Sequence, residues 1–98
     1  MLEKQFQSKL IKELKTKYPG AVVLKTDPNY IQGFPDLLIL WHIHWAALEC
    51  KRETDSHVQP NQKFYVDYLN QMSFSSFINP NNKEEVLNAM ERSFLSQG

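Results

Sequence analysis

The sequence has one cysteine, three glycines, no long apolar run and no excess of charge of either sign. Its single cysteine, Cys50, cannot form a disulfide within the chain, and such cysteine usage is typical of a reducing compartment. No window approaches the roughly 18 consecutive apolar residues that a membrane-spanning helix needs. Charged residues interrupt the apolar ones throughout residues 1–15, which is unlike a secretory signal. We therefore expect a cytoplasmic protein with no membrane partner.

The chain carries 11 basic and 11 acidic residues, so its formal net charge at pH 7 is zero. This balance argues against a protein whose main role is to coat nucleic acid, since such domains are usually basic. It is compatible with an enzyme that uses acidic metal ligands, because a bound cation restores positive charge locally. The length of 98 residues suits one compact unit, and we predict a single domain over residues 1–98.

Apolar periodicity and turn residues predict the order helix, three strands, helix, strand, helix. A repeat every four positions predicts the first helix over residues 2–18: Leu2, Phe6, Leu10, Leu14 and Tyr18. Runs rich in β-formers predict strands at residues 21–26, 36–41, 44–51 and 73–78. A helix over residues 60–72 is expected to bury Phe64, Tyr65, Tyr68, Leu69 and Met72, and the last helix to bury Val86, Leu87, Met90 and Phe94. The pattern indicates an α/β fold with a central mixed sheet flanked by helices.

The second and third strands predict a hairpin whose geometry concentrates charged residues. If the chain turns between His42 and Ile43, residues whose numbers sum to 85 lie opposite one another, which pairs Asp36 with Glu49. Strand alternation places Glu49 and Lys51 on one face and Cys50 on the other. His-Ile is not a favoured two-residue turn, and a bulge would shift the register by one, so the pairing stays open here.

Two carboxylates directly opposite each other repel unless a cation lies between them. Oxygen ligands favour Mg²⁺ or Mn²⁺, with water completing the coordination shell. Such an ion lowers the pKa of bound water and polarises a phosphodiester, and Lys51 could stabilise developing negative charge or orient the attacking water. Glu3 falls inside the apolar stripe of the first helix. It is either an acid near the cation or an exposed first-turn acid favoured by the helix dipole.

Other residues suggest alternative chemistry. His42, His44, Cys50 and His57 invite a zinc hypothesis, but Cys50 is more simply a buried apolar side chain. The same placement argues against Cys–His nucleophilic catalysis. Most of the aromatic side chains are expected in the core rather than stacked on bases: Trp41, Trp45, Phe64, Tyr65 and Tyr68.

Four residues are candidates for contact with DNA. Tyr30, in the loop before Asp36, is the aromatic residue we expect to touch the substrate. Lys25, Arg52 and Lys63 could contact phosphates, and each could equally be ordinary surface charge.

The run Gly33-Phe34-Pro35-Asp36 followed by Glu49-Cys50-Lys51 resembles the signature of the PD-(D/E)XK nucleases, and the order of elements resembles their core. More narrowly, Gln62, which opens a helix that carries Leu69 and precedes a short strand, is similar to the VRR-Nuc family. The resemblance implies a nuclease-like αβββαβα core. It also implies site roles: Asp36, Glu49 and the Cys50 carbonyl as metal ligands, Lys51 as catalytic lysine, Gln62 as a site-supporting or phosphate-contacting residue, and Glu3 as an additional acid.

Short stand-alone members of that family, many of them viral, are similar to Holliday-junction resolvases. The resemblance therefore implies a Mg²⁺- or Mn²⁺-dependent endonuclease acting on DNA, with branched DNA as the expected substrate, in a bacterial cell or a virus-infected host cell. Coordinated cutting of two strands needs two sites, so a two-fold homodimer is expected. The alternatives are a flap or nicking endonuclease, and a non-catalytic module that binds DNA or protein on a nuclease scaffold.

Overall fold

The computed structural model describes residues 2–96, and its helices and strands follow the order predicted from the sequence. The elements alternate as helix, three strands, helix, strand and helix, which confirms an α/β fold. Their bounds are α1 Glu3–Lys17, β1 Val22–Lys25, β2 Leu37–Trp41, β3 His44–Cys50, α2 Pro60–Met72, β4 Phe74–Ile78 and α3 Lys83–Ser96.

The four strands form one mixed sheet in the order β1-β2-β3-β4. β1 and β3 both run antiparallel to β2, as hairpin-like connections allow. β4 runs parallel to β3, and α2 forms the crossover between them, since parallel neighbours need a long connection. The predicted mixed sheet is therefore confirmed.

The β2–β3 hairpin has the predicted turn and register. Trp41 lies opposite His44 and Leu37 lies opposite Leu48, so paired residue numbers sum to 85 and no bulge shifts the ladder. His42 has a φ of 56°, in the left-handed region that a tight hairpin turn requires. A histidine thus takes the position that asparagine or glycine usually occupies, because the strand pairing on both sides determines the turn.

Helices α1 and α3 cover one face of the sheet and form the main core with it. The predicted stripes of both helices are buried, except that Leu2 at the start of the first stripe is 61% exposed. Because strand side chains alternate, every second residue of β2 and β3 enters this core. Its members include Phe6, Leu10, Leu14, Leu37, Ile39, Leu48, Cys50, Ile78, Val86, Leu87, Met90 and Phe94.

The prediction for the buried side of α2 was wrong for three of its five residues. Phe64, Tyr68 and Met72 are exposed, and the buried residues of α2 are Val66 and Leu69. Apolar residues occur on several sides of this helix, so periodicity alone does not select which side is buried. The docking of α2 on β3 and β4 selects it. The core expectation was wrong for the rings of Phe64 and Tyr68, whereas those of Trp41, Trp45 and Tyr65 are partly buried.

Among the helices of residues 2–96, none has the length and apolar character needed to cross a bilayer.

Candidate active site

The β2–β3 hairpin brings Asp36, which immediately precedes β2, next to Glu49 in β3. Continuing the register past Leu37 places Asp36 opposite Glu49. Two main-chain contacts hold Asp36 in position: its carbonyl accepts a hydrogen bond from the Thr26 N–H at 2.9 Å, and its Oδ2 accepts one from the Cys50 N–H at 2.9 Å. The second contact crosses the hairpin and fixes the carboxylate next to the end of β3. The opposed carboxylates predicted from the sequence are therefore a feature of the fold.

Gln62, in the first turn of α2, links Glu49 to Lys51. Its Nε2 donates to Glu49 Oε2 at 3.0 Å, and its Oε1 accepts from Lys51 Nζ at 2.9 Å. The same Oε1 accepts from the Gln59 N–H at 2.9 Å, which anchors the amide at the start of the helix. Lys51 Nζ also donates to the His57 carbonyl at 3.0 Å, and lies 3.9 Å from Glu49 Oε2. One amide therefore orients both charged side chains.

Burial makes the two carboxyl groups reluctant to ionise. Glu49 is only 3% exposed, and this desolvation, followed by repulsion from Asp36, raises the pKa of Glu49 to about 8. Burial also raises the pKa of Asp36, although the Cys50 N–H and the charge of Lys51 oppose that change. With the pKa of Glu49 above 7, the carboxyl pair retains a proton at neutral pH. A cation between the carboxylates would replace that proton, as metal ligands require.

Glu3 lies at the edge of the same site. It is exposed in the first turn of α1, where it lines two adjoining open clefts, one shared with Asp36 and the other with Lys51 and Arg52. Its charge contributes to the raised pKa of Glu49. The position fits both interpretations of Glu3, as a first-turn acid and as an outer acid near a cation.

The predicted metal ligands are compatible with a hard divalent cation. Asp36 and Glu49 supply two carboxylates, and the Cys50 main-chain carbonyl belongs to the residue that hydrogen-bonds Asp36. Over residues 2–96, no group of three or more His, Cys, Asp or Glu side chains is arranged to hold a metal. The predicted set does not require such a group, because Mg²⁺ usually binds through one or two carboxylates and keeps several waters.

The structure does not assemble the residues of the zinc hypothesis. His42 occupies the hairpin turn and His44 begins β3, whereas Cys50 ends β3 inside the main core. Burial raises the pKa of the Cys50 thiol, as does the negative charge of the neighbouring carboxylates. A buried thiol that resists ionisation has little nucleophilic character. The His57 side chain is exposed in the loop after β3, and only its carbonyl is bonded to Lys51.

The four candidate DNA contacts lie in different places. Arg52 lines the cleft next to Lys51 and pairs with Glu53 at 3.6 Å. Lys63 follows Gln62 on α2 but is paired with Asp67 at 2.8 Å. Lys25 lies opposite Leu37, so its side chain is on the α1 face of the sheet, and Asp36 is on the other. Tyr30 is 84% exposed. Of the three basic residues, Arg52 is the one that the fold brings into the cleft.

A close contact between Gly33 and Asn61, which the sequence analysis did not identify, connects the loop before Asp36 to α2. Gly33 has a φ of +88°, and a Cβ there would lie 2.5 Å from Asn61 Cγ. Asn61 Nδ2 also donates to the Gln32 carbonyl at 3.2 Å. The glycine in a loop between two elements was the only signal in the sequence. This contact ties the segment that carries Asp36 to the helix that carries Gln62.

The site thus consists of one buried and one half-buried carboxylate, one lysine and one glutamine at the edge of an open cleft. Comparisons of the chain with protein-family models, with curated proteins and with solved structures found no match.

Proposed function

We propose that the chain is a Mg²⁺- or Mn²⁺-dependent endonuclease that hydrolyses DNA phosphodiesters, a nuclease of the PD-(D/E)XK type resembling the VRR-Nuc family. The observation that carries the proposal is the opposed pair of half-buried Asp36 and buried Glu49, joined to Lys51 through Gln62 at the edge of a cleft. A buried carboxyl pair is costly in a folded protein unless it binds a proton or a cation. Such a pair is therefore expected at a functional site.

Asp36 and Glu49 would hold the cation, with the Cys50 carbonyl as a third ligand and Glu3 as an outer acid. When bound, the cation would polarise the phosphodiester and make its bound water more acidic. The chain itself provides the orientation: the Cys50 N–H engages one oxygen of Asp36, and the Gln62 amide engages one oxygen of Glu49. The two carboxyl groups also hydrogen-bond each other in the metal-free protein, and a cation between them would replace that contact.

Lys51 would act on the phosphate or on the attacking water. Its ammonium group has three protons, and two are donated to the Gln62 amide and the His57 carbonyl. The third can stabilise negative charge that develops on a phosphate oxygen, or orient the water. Since both accepting oxygens are fixed by the fold, little reorganisation is needed when substrate binds.

Branched DNA is the substrate class that we propose first, with a four-way junction as its simplest form. The support is the resemblance of the site sequence to the VRR-Nuc family and an argument from symmetry. A domain with one such site cuts one strand, so paired cuts need two copies, and a two-fold homodimer matches the symmetry of a four-way junction.

Cleavage of end-labelled DNA tests the proposal. A four-way junction, a flap and a linear duplex are incubated with Mg²⁺, with Mn²⁺ or with chelator. Wild type is compared with Lys51→Ala and Glu49→Gln, and with matched surface controls, Lys15→Ala and Glu84→Gln, whose side chains are exposed on α1 and α3. We expect metal-dependent, symmetric junction cuts that both site variants lose and both controls keep.

The other outcomes separate the alternatives. Cutting of the flap or of one duplex strand in preference to the junction would support the active site and contradict the junction preference. Cutting that both site variants retain would place the chemistry elsewhere. If no DNA is cut with either metal, the nuclease proposal fails, and the chain is better explained as a binding module.

A further inference from the structure

One half of the sheet lacks a covering helix on the α2 side. Within residues 2–96, the backbone of α2 lies close to β3 and β4 and away from β1 and β2. The register places Val22 opposite Leu40 and Leu24 opposite Leu38, so these four side chains share the face that α2 leaves open. Val22, Leu24 and Leu40 are 49%, 44% and 38% exposed. The four residues form an apolar floor beside the helix.

The side of α2 that faces this floor is apolar beyond its first turn. Asn61, Tyr65, Tyr68 and Met72 are spaced as i, i+4, i+7 and i+11, which places them on one side of the helix. Asn61 and Tyr65 contact the loop before β2, through Gln32 and Phe34, so that side points toward the uncovered strands.

Tyr68 and Met72 continue that side toward the end of the helix. They are 48% and 56% exposed, and the ring of Phe64 stacks on Tyr68 with centroids 5.6 Å apart. We call the floor and this wall together the apolar trough: Val22, Leu24, Leu38, Leu40, Phe64, Tyr68 and Met72.

The apolar trough has the size of a protein interface. Its side chains expose roughly 500 Å² together, which lies toward the upper end of the largest apolar patches on monomers. A stable dimer buries about 800 Å² on each partner, so the trough and a polar rim would be sufficient. The trough contains no basic residue, and DNA binding depends on basic contacts to phosphate. Its composition therefore favours protein over nucleic acid as the occupant.

We infer that the apolar trough is the interface of a two-fold homodimer. The helix forms a raised wall next to the flat floor of the sheet. The wall of each copy can therefore cover the floor of the other. Such self-complementarity is what a two-fold interface requires. The role of this dimer rests on the proposed function. Because Gln62 is on the same helix as Tyr68 and Met72, a dimer formed through the trough would set the distance between two nuclease sites.

Sedimentation velocity over about 1 to 100 µM tests the interface without any measurement of cleavage. Leu24→Lys alters the floor and Met72→Lys alters the wall. Leu95→Lys is the matched control, since Leu95 is 73% exposed on α3, the helix on the other side of the sheet. We expect a dimer whose dissociation constant rises about 100-fold or more in both trough variants and is unchanged in the control. Circular dichroism melts would show that every variant is folded.

Three results would overturn the inference. They are a wild type that stays monomeric at the highest concentration, trough variants that dimerise as wild type does, and a dimer disrupted by Leu24→Lys but not by Met72→Lys. The last result would place the contact on the edge of β1.

Junction cleavage separates this inference from the proposed function. Monomeric trough variants should still cut one strand of the junction at a time in the presence of metal, and should lose the paired cuts. A wild-type dimer that cuts nothing would contradict the nuclease and leave the interface supported.

Discussion

Glu49 should make the metal-free protein less stable as the pH rises from 5 to 9. Burial raises the pKa of Glu49 from 4.5 to about 8. Between these pH values the folded protein retains a proton that the unfolded chain has released, so the free energy of unfolding falls as the pH increases. The effect is absent below about pH 4.5 and complete above pH 8. Most paired carboxylates behave in the opposite way, because their pKa is lowered in the folded state.

The size of the effect follows from the shift in pKa. At 1.36 kcal/mol per unit, a rise from 4.5 to about 8 corresponds to roughly 5 kcal/mol. Asp36 shares the site and its own pKa is raised, so we expect a loss of about 3 to 5 kcal/mol between pH 5 and pH 9. A domain of this size is typically stable by about 5 to 15 kcal/mol, so the change is a large fraction of the total.

Urea unfolding at pH 5, 7 and 9 in chelator, followed by tryptophan fluorescence, measures this dependence. The unfolding midpoint of wild type should fall by roughly 2 to 3 M more than that of Glu49→Gln, given a slope of about 1.5 kcal/mol per molar urea. Glu84→Gln, an exposed acid on α3, is the control and should follow wild type. Mn²⁺ at high pH should restore stability to wild type and not to Glu49→Gln, because a bound cation stabilises the folded state by mass action. Parallel pH dependence in wild type and Glu49→Gln would refute the reasoning.

Two further predictions concern the residues that hold the site together. Gly33→Ala should destabilise the domain by about 2 to 3 kcal/mol in urea unfolding, since it adds a clash with Asn61 to the strain of a positive φ. The control is Gly20→Ala, also at φ +88° but with no atom within 4 Å of the added Cβ, and it should lose only about 1 kcal/mol. Equal losses in the two variants would contradict the close contact. Gln62→Leu should lower kcat about 10- to 100-fold and also weaken Mn²⁺ binding, because it releases both Lys51 and the Glu49 carboxylate. The control is Gln71→Leu, at an exposed position of α2, and an unchanged kcat for Gln62→Leu would show that the amide does not position Lys51.

Local patterns were sufficient to predict much of this structure. The order of elements follows from periodicity. The tight link between two strands indicated a hairpin with a possible register that the structure confirms, although His42 and Ile43 are poor turn residues. Because a register and an alternation together determine which side chains share a face, the sequence predicted that Asp36 and Glu49 oppose each other. The same alternation places Lys51 on the face of Glu49 and Cys50 in the core.

The sequence by itself therefore determined the element order and limited the hairpin to neighbouring registers, because both depend on residues close together in the chain. The structure selected the register that opposes Asp36 and Glu49. Only the tertiary structure decided how α2 docks, and with it the Gln62 bridge, the contact between Gly33 and Asn61, and the exposure of Tyr68 and Met72. These contacts join segments far apart in sequence. The burial that raises the pKa of Glu49 is also a tertiary effect, because desolvation depends on every element packed around the carboxyl group.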